Sequence, residues 1–152
     1  MQMNEDDPCA LGSFGAQFCE VAVDELTGDI EVRRFVGVFD GGRILNARTA
    51  HSQFKGAIVM GLGMALTEQT HLDERDGRLP NASLSEYLVP VAASVPAIET
   101  DFIDVADPRT PMGAHGIGEI GIVGVAAAVA NAVYHATGRR VRELPVTLDK
   151  LL

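Results

Sequence analysis

Residues Gly116–Gly121 read GIGEIG, and one charged side chain, Glu119, stands among three glycines. Three chemistries suit such a stretch. The letters match G-x-G-x-x-G, the turn that brings a backbone close to a dinucleotide pyrophosphate. That turn needs a strand directly before the first glycine. Here the strand-like DFIDVAD ends well upstream, with Pro108 and Pro111 between, and Glu119 would face the pyrophosphate as a second anion. A plainer reading makes Glu119 a first-turn acid, favoured by the dipole of the apolar helix that follows it. The third makes Glu119 a general base. The glycines leave its carboxylate unobstructed and let a bulky ligand approach the backbone. Partial burial of that carboxylate would suit proton abstraction near neutral pH.

One carboxylate is not a mechanism. No Ser-His-Asp grouping is evident, and His51, His71, His115 and His135 lack zinc-ligand spacing. They are expected to be surface or internally satisfied residues. Cys9 and Cys19 do not form a C-x-x-C pair, and Cys19 reads as a small core residue. A base at Glu119 therefore needs the rest of its chemistry from outside the chain.

The chain has 152 residues, 47% hydrophobic, which suits one domain with a real core. Its net charge of -9 gives no general attraction for nucleic acid or anionic lipid. The opening MQMNEDDPCALG is acidic, carries no apolar run of the kind a secretory signal has, and is expected to be a tail over residues 1–12. SFGAQFCEVAVDELTGDIEVRRFVGVFDGG reads as two strands about a turn at Asp24–Asp29, broken at Thr27-Gly28 and closed by Asp40-Gly41-Gly42. Period two places Ile30, Val32, Val36 and Val38 on one side of the second strand.

NARTAHSQFKGAIVMGLGMALTEQTHL reads as a helix capped by Asn46, with Ala50, Phe54, Ala57, Ile58, Gly61, Met64 and Ala65 on its apolar face. Gly56, Gly61 and Gly63 each weaken it by roughly 1 kcal/mol relative to Ala, so close approach by another group is expected there. SEYLVP reads as a short strand and AIETDFIDVAD as a better one. PRTPMGAHGIGE is a long loop of the kind that carries function. A helix over Ile120–Thr137 follows, too short for a bilayer span and closed by Gly138; the tail after it reads as extended, then irregular. Mixed strands and helices without regular βαβ alternation point to α+β: a mixed sheet or hairpin packed with two main helices.

Three stretches in this order, FGAQFCEVAVDELTGDIEVRRFVGVFDGGRILN, SQFKGAIVMGLGMALTEQ and PMGAHGIGEIGIVGVAAAVANAV, resemble the C-terminal part of the molybdopterin-binding large subunit of the xanthine oxidase/aldehyde oxidase family. The resemblance runs from about Ser13 to the end. The GEIGI variant and the ending LPVTLDKLL are most similar to the bacterial periplasmic-type aldehyde oxidoreductases. It implies that residues 13–152 are the C-terminal part of a molybdopterin cofactor-binding domain within a molybdenum-dependent oxidoreductase. Glu119 matches the family's catalytic glutamate, which accepts a proton as oxygen is delivered to the substrate carbon. Gln53, in the family's Q-x-x-G-A stretch, matches a glutamine that contacts the pterin, and Gly116 and Gly118 would make room for the cofactor, as would Gly56, Gly61 and Gly63. No side chain of the chain itself is implied as a metal ligand.

The implied cofactor is molybdenum on molybdopterin, in bacteria often the cytosine dinucleotide form, with 2Fe-2S clusters and FAD on other subunits. The implied partners are the remainder of the large subunit, the iron–sulfur and FAD subunits, and a small aldehyde; a purine or other N-heterocycle is the alternative substrate. A non-catalytic assembly module with the same fold is the third reading. The compartment would be the cytoplasm, or the periplasm if a signal-bearing partner exports the complex. Two departures stand out: His115 occupies a position that is often Lys in relatives, and Gly41 follows Asp40 where Cys is common. A complete large subunit is several times longer, so the chain is expected to be a fragment or split-gene product, inactive alone.

Overall fold

A computed structural model describes residues 12–152, so most of the acidic tail, with Cys9, lies outside the described residues. Strands β1 (Phe14–Val23) and β2 (Ile30–Asp40) form an antiparallel hairpin. Its turn is set by Asp24, whose carboxylate accepts from the Leu26 and Thr27 amides at 2.9 and 2.8 Å. Gly28 supplies the positive φ of 74° that the turn requires. Strand β3 (Ala97–Ile103) pairs parallel to β2, giving a three-stranded mixed sheet in the order β1-β2-β3. The crossover between β2 and β3 contains α1 (Ala47–Leu66). A short α2 (Ile120–Val123) and a longer α3 (Val125–Thr137) complete the core layer.

The period-two reading of β2 fails in its second half. Glu20 pairs with Arg34 and Val21 with Val32, so Arg33 is an extra residue on β2. Such a bulge moves every later side chain to the other face. Ile30 and Val32 therefore share the inner face with the fully buried Phe35 and Phe39, while Val36 and Val38 point outward. Phe39 stacks on Phe54 of α1 with ring centroids 4.3 Å apart. Phe35, Phe39, Phe54, Ile58, Val125, Val129 and Val133 are the largest fully buried side chains. Cys19 borders this core, and burial, with a smaller contribution from Glu20, pushes its thiol up to about 11.

Asn46 caps α1 as expected, its side chain accepting from the Thr49 amide at 3.1 Å. The helix ends at Leu66 rather than running on to Leu72. The Thr67 hydroxyl reaches the Leu88 carbonyl at 2.7 Å, and the Thr67 and Glu68 amides both turn back to Gly63. Met64 is exposed, not part of the apolar face. SEYLVP forms no strand; the Glu86 and Tyr87 amides bond back to Ser83 and wind it into turns.

The helix read over Ile120–Thr137 is broken at Gly124, leaving α3 thirteen residues long. At 1.5 Å per residue that is about 20 Å, short of a hydrocarbon core of about 30 Å. Gly138 closes α3 in the left-handed conformation, as expected.

Two of the three α1 glycines are occupied by the protein itself, against the expectation that they leave room for a cofactor. A Cβ at Gly61 would stand 2.5 Å from Val125 Cβ, and one at Gly63 would collide with the Glu68 carboxylate and with Pro90. Gly56 is exposed, with nothing within 4 Å of such a Cβ. Opposite signs follow in equilibrium urea denaturation of the chain. Gly56→Ala should stabilise by ~0.5–1 kcal/mol through helix propensity. Gly61→Ala should destabilise by ~1–3 kcal/mol through overpacking. Equal effects of the two substitutions would refute this packing.

Candidate functional site

The GIGEIG loop is held in place from three sides. Below it, the Asp40-Gly41-Gly42 end of β2 serves as a floor. His115 donates its amide to the Gly41 carbonyl at 2.8 Å, Arg43 donates to Gly113 at 2.7 Å, and Gly42 bridges to Ala114. Gly42 has φ 66°, and a Cβ there would meet the Gly113 oxygen at 2.6 Å, so a side chain would push the loop away. Gly41 is closely covered by the Ile117 side chain.

From α1, Gln53 Nε2 donates to the Gly118 carbonyl at 2.7 Å. Gly121 lies against Ala57 Cβ and the Phe54 carbonyl, 2.8 and 3.2 Å from where its own Cβ would be. From β1, Gln17 Nε2 donates to the carbonyls of Gly121 at 3.1 Å and Ile120 at 3.4 Å, and just before β1 the Ser13 hydroxyl donates to the Gly116 carbonyl at 2.8 Å.

All four sequence-derived site residues thus fall on one small region. Gln53 is on α1, across the hydrogen bond from the loop. Gly116 and Gly118 are exposed, with nothing within 4 Å of a Cβ at either. Glu119 stands at the N-cap of α2 with φ -120°, exposed, and its side chain makes no capping hydrogen bond. That position sets the carboxylate at the N-terminal end of α2, where a helix dipole favours an acid, without a capping hydrogen bond. Gln17 and Ser13 escaped the sequence reading, because nothing local marks a strand glutamine as the partner of carbonyls 103 and 104 residues away.

The loop upstream is braced by charge. Asp107 takes two hydrogen bonds from the Arg109 guanidinium, at 3.0 and 2.9 Å, and a third group, His115 Nε2, stands 3.0 Å from Oδ2. The Arg109 side chain and amide, then His115, hold the Asp107 carboxyl well below the usual range. An ionised carboxylate only accepts, so His115 carries its proton on Nε2. His115 Nδ1 is buried without a partner among the described residues. Met112, next to Gly113, sits at φ 61°, a left-handed conformation that costs a non-glycine residue energy.

Among the described residues no three His, Cys, Asp or Glu side chains converge as a metal-ligand set, whereas the loop fits a bulky organic carrier. The open Cα faces of Gly116 and Gly118 and the exposed Gln53 amide suit such a carrier. A cavity of about 170 Å³ lies beside the loop, lined by Gly41, Asn46, Thr49, His115 and Ile117 among others. A larger one, about 820 Å³, opens beside Leu66 and Thr67. It is also lined by Val59 and Leu62, so its near edge lies about 9 Å along α1 from Gln53, and it contains none of the candidate residues.

A mixed sheet with a glutamate-bearing glycine loop seated between β1 and α1 describes a cofactor-binding module, and comparison with known proteins defines which one. The sequence profile of the molybdopterin cofactor-binding domain matches residues 1–96, and the chain belongs to that family. It is 51% identical over 141 residues to the aldehyde oxidoreductase molybdenum-binding subunit PaoC of Escherichia coli K12, an alignment covering 92% of this chain and 19% of that protein. It is 35% identical to the putative xanthine dehydrogenase molybdenum-binding subunit XdhA of the same strain, over 91% of this chain and 18% of the relative. Among solved structures, the aldehyde oxidoreductase of Desulfovibrio desulfuricans superposes with a TM-score of 0.83 at 32% identity, covering 92% of this chain and 15% of that one. Carbon monoxide dehydrogenase of Oligotropha carboxidovorans superposes at 0.84 with 29% identity, over 96% of this chain and 18% of the other. The chain spans about a fifth of the length of the curated relatives it matches.

The Asp107 carboxylate makes loop stability depend on acid. Its folded pKa lies below its unfolded value, so its contribution is full above about pH 3.9 and is lost as pH falls through the lowered folded value. Asp107→Asn should therefore lower the urea midpoint of the chain at neutral pH and shrink the loss on acidification below pH 4. An acid limb unchanged by the substitution would remove Asp107 from the brace.

Proposed function

We propose that the chain is the part of a molybdenum hydroxylase large subunit that carries the general base, Glu119, and that the complete enzyme oxidises aldehydes to carboxylic acids. The observation that supports this reading best is the 2.7 Å hydrogen bond from Gln53 to Gly118, which ties Gln53 to the loop that carries Glu119. The molybdenum–molybdopterin group, in its plain or cytosine dinucleotide form, supplies redox and Lewis-acid chemistry when bound.

The chain's own residues do the rest. Gly116 and Gly118 let the cofactor approach the backbone without meeting a side chain. Gln53 spends one N–H on the loop and retains its second N–H and its Oε1 for the pterin. The Glu119 carboxylate, unpaired with any described side chain, takes up the proton lost by the oxygen nucleophile as that oxygen adds to the substrate carbon. Overall, aldehyde and water become carboxylic acid, two protons and two electrons. The 2Fe-2S clusters and FAD expected on partner subunits would supply the acceptor for those electrons.

An aldehyde is favoured over a purine or other N-heterocycle because identity is 51% to the aldehyde oxidoreductase subunit and 35% to the xanthine dehydrogenase subunit. The chain alone is expected to hold no stoichiometric molybdenum, because the remainder of the pocket lies in the rest of the large subunit.

The test is Glu119→Gln in the assembled enzyme. The amide fills the same space but cannot accept the proton. Turnover normalised to molybdenum should fall ~10²–10⁴-fold, the usual worth of general acid–base catalysis, with cofactor content unchanged. Full molybdenum loading with near-normal turnover would remove Glu119 from the mechanism.

A further inference from the structure

We propose that Gln17 is a positioning residue for Glu119: its side-chain amide, reaching from β1, clamps the turn whose first residue is that carboxylate. The proposal rests on Glu119 being the base. Glu119 makes no side-chain hydrogen bond of its own to the described residues, so the peptide units on either side set where its carboxylate points. The unit before Glu119 is held by Gln53 through the Gly118 carbonyl; the unit after it turns into α2, and the next two units are held by Gln17, through the carbonyls of Ile120 at 3.4 Å and Gly121 at 3.1 Å.

Packing alone does not explain a glutamine here. Gln17 lies half-buried on the inner face of β1, between Gly15 and Cys19, where packing by itself would be served by an apolar side chain. Its Oε1 is buried without a partner among the described residues. A buried acceptor left unsatisfied is unfavourable, so the donation by Nε2 is the interaction that accounts for the residue. The fold makes room for it. A Cβ at Gly124 would stand 3.1–3.4 Å from the Gln17 amide atoms, and it is at Gly124 that the apolar helical run breaks into α2 and α3.

The experiment is a double-mutant cycle in the assembled enzyme, with Gln17→Met, which keeps length and loses the donor, and Glu119→Gln. Gln17→Met should lower kcat on the order of 10²-fold, the scale of a small misplacement of a catalytic group, with KM and molybdenum content unchanged. In the Glu119→Gln background it should lower kcat no further, because a positioning residue acts only through the group it positions. In the 152-residue chain alone, Gln17→Met should speed amide hydrogen exchange across residues 119–124 and leave α1 unchanged.

Gly124→Ala, which favours helix while crowding the Gln17 amide, should reproduce both effects and carries the test if Gln17→Met does not fold. A normal kcat in either folded variant, or losses that add in the double mutant, would overturn the positioning role. If Glu119→Gln alone keeps normal turnover, the base reading fails instead.

Discussion

The contact that the rest of the structure depends on is the close approach of α1 to the α2–α3 segment. It is made at Gly61, which admits Val125, and at Gly121, which admits Ala57 and the Phe54 backbone. Larger residues at these two positions would hold the segments apart. With them together, Phe54, Ile58, Val125 and Val129 close over the inner sheet face behind Phe35 and Phe39. The same contact fixes the height of the Glu119 loop above α1. Gln53 can reach Gly118 only because Gly121, three residues on, is already seated against its own helix.

The loop is therefore an irregular segment held by regular neighbours. Its carbonyls at Gly116, Gly118, Ile120 and Gly121 are spent on side chains from Ser13, β1 and α1. Irregular backbone packed against the core leaves carbonyls without ladder partners, and here three polar side chains supply them. The glycines at 116 and 118 keep their outer faces clear, so rigidity and access coexist. Upstream, the Asp107–Arg109–His115 cluster does by charge what the amides do by hydrogen bonding.

Much of the fold could be read from the sequence because its signals are local. The Asp24–Gly28 turn, the Asn46 cap and the Gly138 stop each follow from one or two residues, and each is found in place. What could not be read depends on long-range pairing. The bulge at Arg33 arises from register against β1, and it alone reverses the sides of Val36 and Val38. At the break, Gly124 lies against the amide of Gln17, which comes from a strand more than a hundred residues earlier. Glycines on α1 signalled close approach, but the sequence could not say whether the visitor was a cofactor or Val125.

The site shows the same division. Glu119 stood out as a lone charge among glycines, and Gln53 was found only through resemblance of its surroundings. Their shared location is a tertiary fact. Gln17 had no signal at all, since a glutamine in a strand is ordinary until its partners are known. An outward-facing polar residue needs no explanation, whereas a polar residue on an inner face does. Gln17 therefore becomes informative only once β1 is paired and the face it occupies is fixed. Functional residues that act by holding backbone, rather than by touching ligand, will in general be found in this order: first the pairing, then the face, then the unmatched polarity.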